Sequence, residues 1–205
     1  MQIQSVALPL ASSRPRPSEP EPEPGLSGKD LVEAGVRGGI AYGIGIGYPS
    51  VWLHEMGHAV TASALYQGAN PRIEVTPWQG GVTYWRPGPL TELGQELGPT
   101  YARAAVSAAG TVVDVGLATT TFAAGYMMRH KRPVLGSVLM GYAGFTMVNT
   151  VAYALSALGT AKAGNDFATI ATMTGIHPLI TAGVLAAILP AEYLLLRHLE
   201  KKGIL

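Results

Sequence analysis

Between residues 134 and 161 the chain has no Asp, Glu, Lys or Arg, and between 104 and 128 it has only Asp114. A helix needs about 20 mostly apolar residues to span the hydrocarbon of a bilayer, and both stretches exceed that. Two shorter stretches follow the same pattern: residues 38 to 53 carry no charge, and residues 178 to 196 carry only Glu192. The earlier of these reaches spanning length only if its helix runs on through His54 to about Tyr66. The competing architecture is a water-soluble bundle of fully buried helices. Charged residues make up 13% of the chain, against about a quarter in soluble domains, so lipid is the better-matched solvent. The sequence predicts an all-α polytopic membrane protein with about four transmembrane helices, forming one domain over residues 31 to 205.

Residues 1 to 30 read differently. The run SSRPRPSEPEPEPGLSG is too rich in Pro, Glu and Ser to bury apolar area and is expected to be a disordered tail. MQIQSVALPLA lacks the basic start and long apolar run of a signal peptide. Further on, Gly35, Gly39, Gly43 and Gly47 recur every fourth residue, which would line one helix face for close packing. Pro49 is expected to kink that helix. Between the first and second apolar stretches, PRIEVTPWQGGVTYWRPGP reads as a small β-hairpin. Ile73 and Val75 alternate with polar residues, Gln79-Gly80-Gly81 supplies the turn, and β-prone residues follow from Val82. Its Trp and Tyr suit the headgroup level.

The net charge is +1 and no basic patch interleaves with aromatics, which argues against a nucleic-acid partner. With four spans, the two ends of the chain and the RHKR loop at 129–132 lie on one side with ten Lys and Arg. Arg72, Arg86, Arg103 and Lys162 lie on the other. Discounting Arg14 and Arg16 in the tail leaves eight against four, which places both termini in the cytoplasm and the hairpin outside. A multi-pass protein of a bacterial cell membrane is expected.

Within YPSVWLHEMGHAVTASALYQ, His54 and His58 stand four residues apart, one turn along the same face of a helix. Both can aim imidazole nitrogens at one ion, while Glu55 projects beside them. This is the H-E-x-x-H arrangement of zinc metalloproteases. Imidazole suits Zn2+, whose catalytic sites take three protein ligands and keep the fourth position for water. The bland alternative is two histidines satisfied in a helical core. Ionisable groups at membrane depth are costly and mark function more often than structure. The chain has no cysteine, so any metal must be held by histidine and carboxylate. His130 and His198 lie in basic segments at helix ends and His177 precedes Pro178, leaving Asp114, Asp166 and Glu192 as candidate third ligands. Asp166, where a helix restarts, could instead cap it. Asp114 could orient a ligating histidine. Glu192 reads as interfacial.

The embedded HEMGH, the hairpin after it, Gly110 to Asp114, and the late Asn165-Asp166 opening a helix resemble the site-2 protease family of intramembrane zinc metalloproteases. The resemblance spans residues 40 to 195 in the same order. It implies one Zn2+ per chain on His54, His58 and Asp166, with Glu55 as general base. It implies an endopeptidase that cleaves transmembrane segments of membrane-protein substrates through a zinc-activated water, and a hairpin on the cytosolic side, opposite to the charge count. Val82, Thr83 and Tyr84 would offer an edge strand to the unwound substrate. The chain departs from the family at three places. Phe167 replaces a glycine, Thr111 and Asp114 stand where proline and asparagine are usual, and Asn149 lacks its following proline. Asp114, Asn149 and Asn165 are therefore candidates for supporting a ligand or an oxyanion. With little soluble chain, control would fall to regulatory membrane partners. Two other readings compete. A di-iron membrane oxidoreductase needs more than five histidines, and a non-catalytic membrane scaffold would retain the fold without cleavage.

Overall fold

Prolines open four of the helices. In the computed structural model, which describes residues 27–45, 48–159 and 164–205, Pro49, Pro99, Pro133 and Pro178 each stand in a helix's first turn. There the missing N–H would have lacked an intrahelical partner anyway, so proline starts a helix without an orphan donor. The order is α1 (Gly28–Gly45), α2 (Pro49–Leu65), β1 (Arg72–Thr76), β2 (Gly80–Tyr84), α3 (Glu92–Leu97), α4 (Pro99–Met128), α5 (Pro133–Ser156), α6 (Asp166–Thr174) and α7 (Pro178–Lys201). The predicted tail lies outside the described residues apart from its last few.

Among the described residues, three helices are long and apolar enough to cross a membrane: α4, α5 and α7. They coincide with the three later apolar stretches. The first stretch is not one spanning helix. It breaks before Pro49, which has no N–H to return to the preceding turn and bars helical geometry from Tyr48. The break leaves α1, with Lys29, Asp30, Glu33 and Arg37 toward its start, and α2, with 17 residues. Pro190 causes no such break, and α7 continues through it.

Small residues hold the helices together. The main core joins Ala118, Ala143, Met147, Ala154, Phe167, Ala182 and Leu185 from α4, α5, α6 and α7. Larger aliphatics face outward: Val112 and Val148 are 67% exposed, Val184 62% and Leu194 63%. That inversion of the water-soluble pattern fits helices whose outer surface meets lipid. α1 packs on α5 through Gly38 and Gly141, where a Cβ on Gly141 would lie 1.8 Å from the Ala34 carbonyl oxygen. Of the expected face of Gly35, Gly39 and Gly43, only Gly39 meets α5, at the Phe145 ring. Gly47 lies outside the described residues. Which glycine is used is set by the partner helix, since Gly38 is the one opposite Gly141.

β1 and β2 pair antiparallel from Arg72↔Tyr84 to Thr76↔Gly80. The turn is Pro77-Trp78-Gln79, and Gly80 and Gly81 belong to β2 rather than to the turn. Trp78 takes a left-handed φ of 58° and donates its indole N–H to the Gly43 carbonyl at the end of α1.

Candidate metal centre

α2 is apolar almost all round, yet it buries Glu55 and His58. They are tolerated because every polar edge is met by another element. α4 crosses closely because Gly57 faces the Ala109 carbonyl, where a Cβ would come within 2.7 Å. That approach brings the Val106 carbonyl 2.6 Å from His58 Nδ1 and the Asp114 carboxylate 2.8 Å from His54 Nδ1. Both partners accept, so each imidazole carries a proton on Nδ1 and turns Nε2 the other way. The two Nε2 atoms stand 3.1 Å apart. Protonating both would set two hydrogens head to head.

The third group arrives from α6. Asp166 Oδ2 lies 3.3 Å from His58 Nε2 and 3.6 Å from His54 Nε2. Three electron-rich atoms thus converge with edges of 3.1, 3.3 and 3.6 Å. Ligands about 2.0–2.1 Å from a tetrahedral zinc are about 3.3–3.4 Å from one another. The donor set and its spacing fit that ion. His54, Glu55 and His58 also form a group that could hold a metal, with ligand atoms within 4.8 Å of one another. Asp166 is the nearer partner of both imidazoles. Gly110 of α4 keeps the space beside them clear, since a Cβ there would sit 2.4 Å from His54 Nε2 and 2.5 Å from His58 Nε2.

Glu55 points to the hairpin side. The Thr83 hydroxyl donates its one hydrogen to the Glu55 carboxylate (2.7 Å) or to the Glu55 carbonyl (2.9 Å). Gly81 permits the seating of β2 on α2, because a Cβ there would fall 2.5 Å from Glu55 Cγ. A cavity of about 840 Å³ opens between α2, β2, α4, α5 and α6 onto His54, Glu55, His58 and Asp166. Ser107, Thr146, Asn149, Thr150 and Thr169 contribute polar lining. In so apolar a chain that lining gives water a place next to the donors.

The sequence-derived candidates therefore divide. His54, His58, Asp166, Glu55 and Asp114 come together. Val82 and Thr83 line the cavity, whereas Tyr84 is exposed and does not. Asn149 lines it without touching the donors through a hydrogen bond. Asn165 is the helix cap instead: its Oδ1 accepts from the Ala168 N–H and its Nδ2 donates to Ser156. Asp166 is thereby freed from the capping role that competed for it. His177 caps α7 by accepting from the Leu179 N–H, and neither it nor His130 nor His198 lines the cavity. Glu192 keeps Oε2 out of water and, among the described residues, without a hydrogen-bond partner. Tyr153, Val106, Gly81 and Gly57 were not among the candidates. Tyr153 had no signal beyond its place in an apolar run, and Val106 acts through its carbonyl, which every residue has.

No protein-family model, curated protein or solved structure matches the chain.

Proposed function

We propose that the protein is a zinc-dependent endopeptidase embedded in the membrane, acting on membrane-spanning segments of other proteins. The observation that carries this reading is the triangle of His54 Nε2, His58 Nε2 and Asp166 Oδ2, with a buried carboxylate, Glu55, on the cavity side. His54, His58 and Asp166 would hold the ion, which when bound supplies Lewis-acid polarisation of water and of a peptide carbonyl. Glu55 is the base that takes a proton from the attacking water and returns it to the leaving amine. Thr83 aims the Glu55 carboxylate, and the Asp114 and Val106 contacts keep both imidazoles in the ligating tautomer. Cleavage needs the segment to unwind first, because a helix keeps its amides in internal hydrogen bonds. Val82 and Thr83 on β2 offer main-chain groups to such an unwound segment by β-augmentation.

The test uses the purified full chain in detergent or liposomes. Wild type is expected to carry one zinc per chain and to cleave a model transmembrane substrate. Glu55→Gln is expected to keep the zinc and lose cleavage, since only proton transfer is removed. A wild type without zinc, or a Glu55→Gln variant at full activity, refutes the reading.

A further inference from the structure

The start of α6 is gripped by the last turns of α5. Tyr153 and Ser156 lie three residues apart, hence on one face of that helix. The Tyr153 hydroxyl accepts the Asp166 backbone N–H at 3.1 Å and donates to Asp166 Oδ2 at 3.2 Å. Ser156 Oγ accepts from Asn165 Nδ2 at 3.0 Å and donates to the Tyr153 carbonyl at 2.7 Å. Phe167, 2% exposed, sits edge-on to the Tyr153 ring with centroids 5.4 Å apart. Three consecutive residues, 165 to 167, are thus each fixed from α5.

From this we infer that Tyr153 is the positioning residue for the third metal donor, and that its hydroxyl selects Oδ2 as the single carboxylate oxygen facing the imidazole pair. The inference rests on the proposed metal site. Its physical basis is that one phenol oxygen holds both ends of the Asp166 unit, main chain and carboxylate, which leaves the side chain little freedom to rotate. A carboxylate on a helix's first residue otherwise turns readily to solvent or to its own helix's free N–H groups. Partners that orient a metal ligand are typically worth about 10–100-fold in affinity.

The experiment compares wild type, Tyr153→Phe and Tyr193→Phe in detergent, titrated with Zn2+ alone against a chelator and, separately, with Co2+ alone. Phenylalanine keeps the ring against Phe167 and removes only the hydroxyl. Tyr153→Phe is expected to bind zinc about 10–100-fold more weakly and to change the visible Co2+ spectrum as the carboxylate loosens. Tyr193→Phe, the same change on α7 against Tyr126 and away from the cavity, is expected to keep wild-type affinity and spectrum. Unchanged affinity and spectrum in Tyr153→Phe overturns the inference and leaves the peptidase reading standing. A wild type that binds neither ion overturns both.

Discussion

Gly110→Ala adds one methyl group at a point where the structure has no room for it. The new Cβ would lie 2.4 Å from His54 Nε2 and 2.5 Å from His58 Nε2, where ordinary contact begins at 3.4 Å, an overlap of about 1 Å with both nitrogens. Neither ring can swing away freely, because His54 Nδ1 is held by Asp114 and His58 Nδ1 by the Val106 carbonyl. Overpacking of this kind costs about 1–3 kcal/mol. Without metal, part of that strain is relieved by tilting a ring and breaking one Nδ1 contact. With metal, both rings are needed in place, so the strain falls on binding. Charged wholly to affinity, 1–3 kcal/mol weakens zinc binding by about 5- to 150-fold. Gly116→Ala is the matched control. It makes the same change on the same helix where nothing lies within 4 Å, and alanine is the better helix former by about 1 kcal/mol. Zinc competition against a chelator, with thermal unfolding of the metal-free protein, reads both. Gly110→Ala should lose zinc affinity far out of proportion to any loss of stability, and Gly116→Ala should lose neither. Equal zinc affinity in the two variants would refute the placement of Gly110 beside the donors.

Two further perturbations probe the same architecture. Asp114→Ala removes the acceptor that fixes the His54 tautomer, and zinc affinity should fall about 10–100-fold while helix content by circular dichroism is unchanged; an unaltered titration would remove Asp114 from the site. Gly141→Val places a branched side chain where Ala34 O and Gly38 Cα leave no space, so α1 should detach from α5; accelerated proteolysis of residues 28 to 45 would report this, and wild-type resistance would count against the packing.

What the sequence made legible follows from which signals are local. Long apolar runs with at most one charge state their own length, so α4, α5 and α7 could be placed from composition. The i,i+4 spacing of His54 and His58 is likewise complete within one turn. The break between α1 and α2 was half visible. Pro49 signalled a disturbance, but whether a proline kinks or ends a helix depends on what the freed carbonyls meet, and Pro190 in α7 shows the opposite outcome. The Gly38–Gly141 contact was hidden for a different reason. A helix with glycines at 35, 38, 39 and 43 offers several small faces, and only the position of the opposing glycine selects one. Asn165 and Asp166 are neighbours that could each cap α6 by chemistry alone. The choice falls to Asn165 because Ser156 and Tyr153, distant from them in composition patterns and adjacent in space, take one residue each.

The site is built in two halves, and this bears on how metal and fold depend on each other. One half is the α2–α4 crossing, made close by Gly57 and Gly110, which presets both imidazoles through Val106 and Asp114. The other is the α5–α6 clamp, which presets Asp166. Without a metal, the three atoms that meet across the gap can be bridged only by a proton on an imidazole Nε2, while Phe167 in the common core of α4, α5 and α7 holds α6 in place. A divalent ion would replace that proton as the bond between the halves, so binding free energy would appear as added stability of the α6 segment. A single proton would bridge one edge of the triangle, whereas a cation would bridge all of it, with Asp166 Oδ2 3.3 Å from one Nε2 and 3.6 Å from the other.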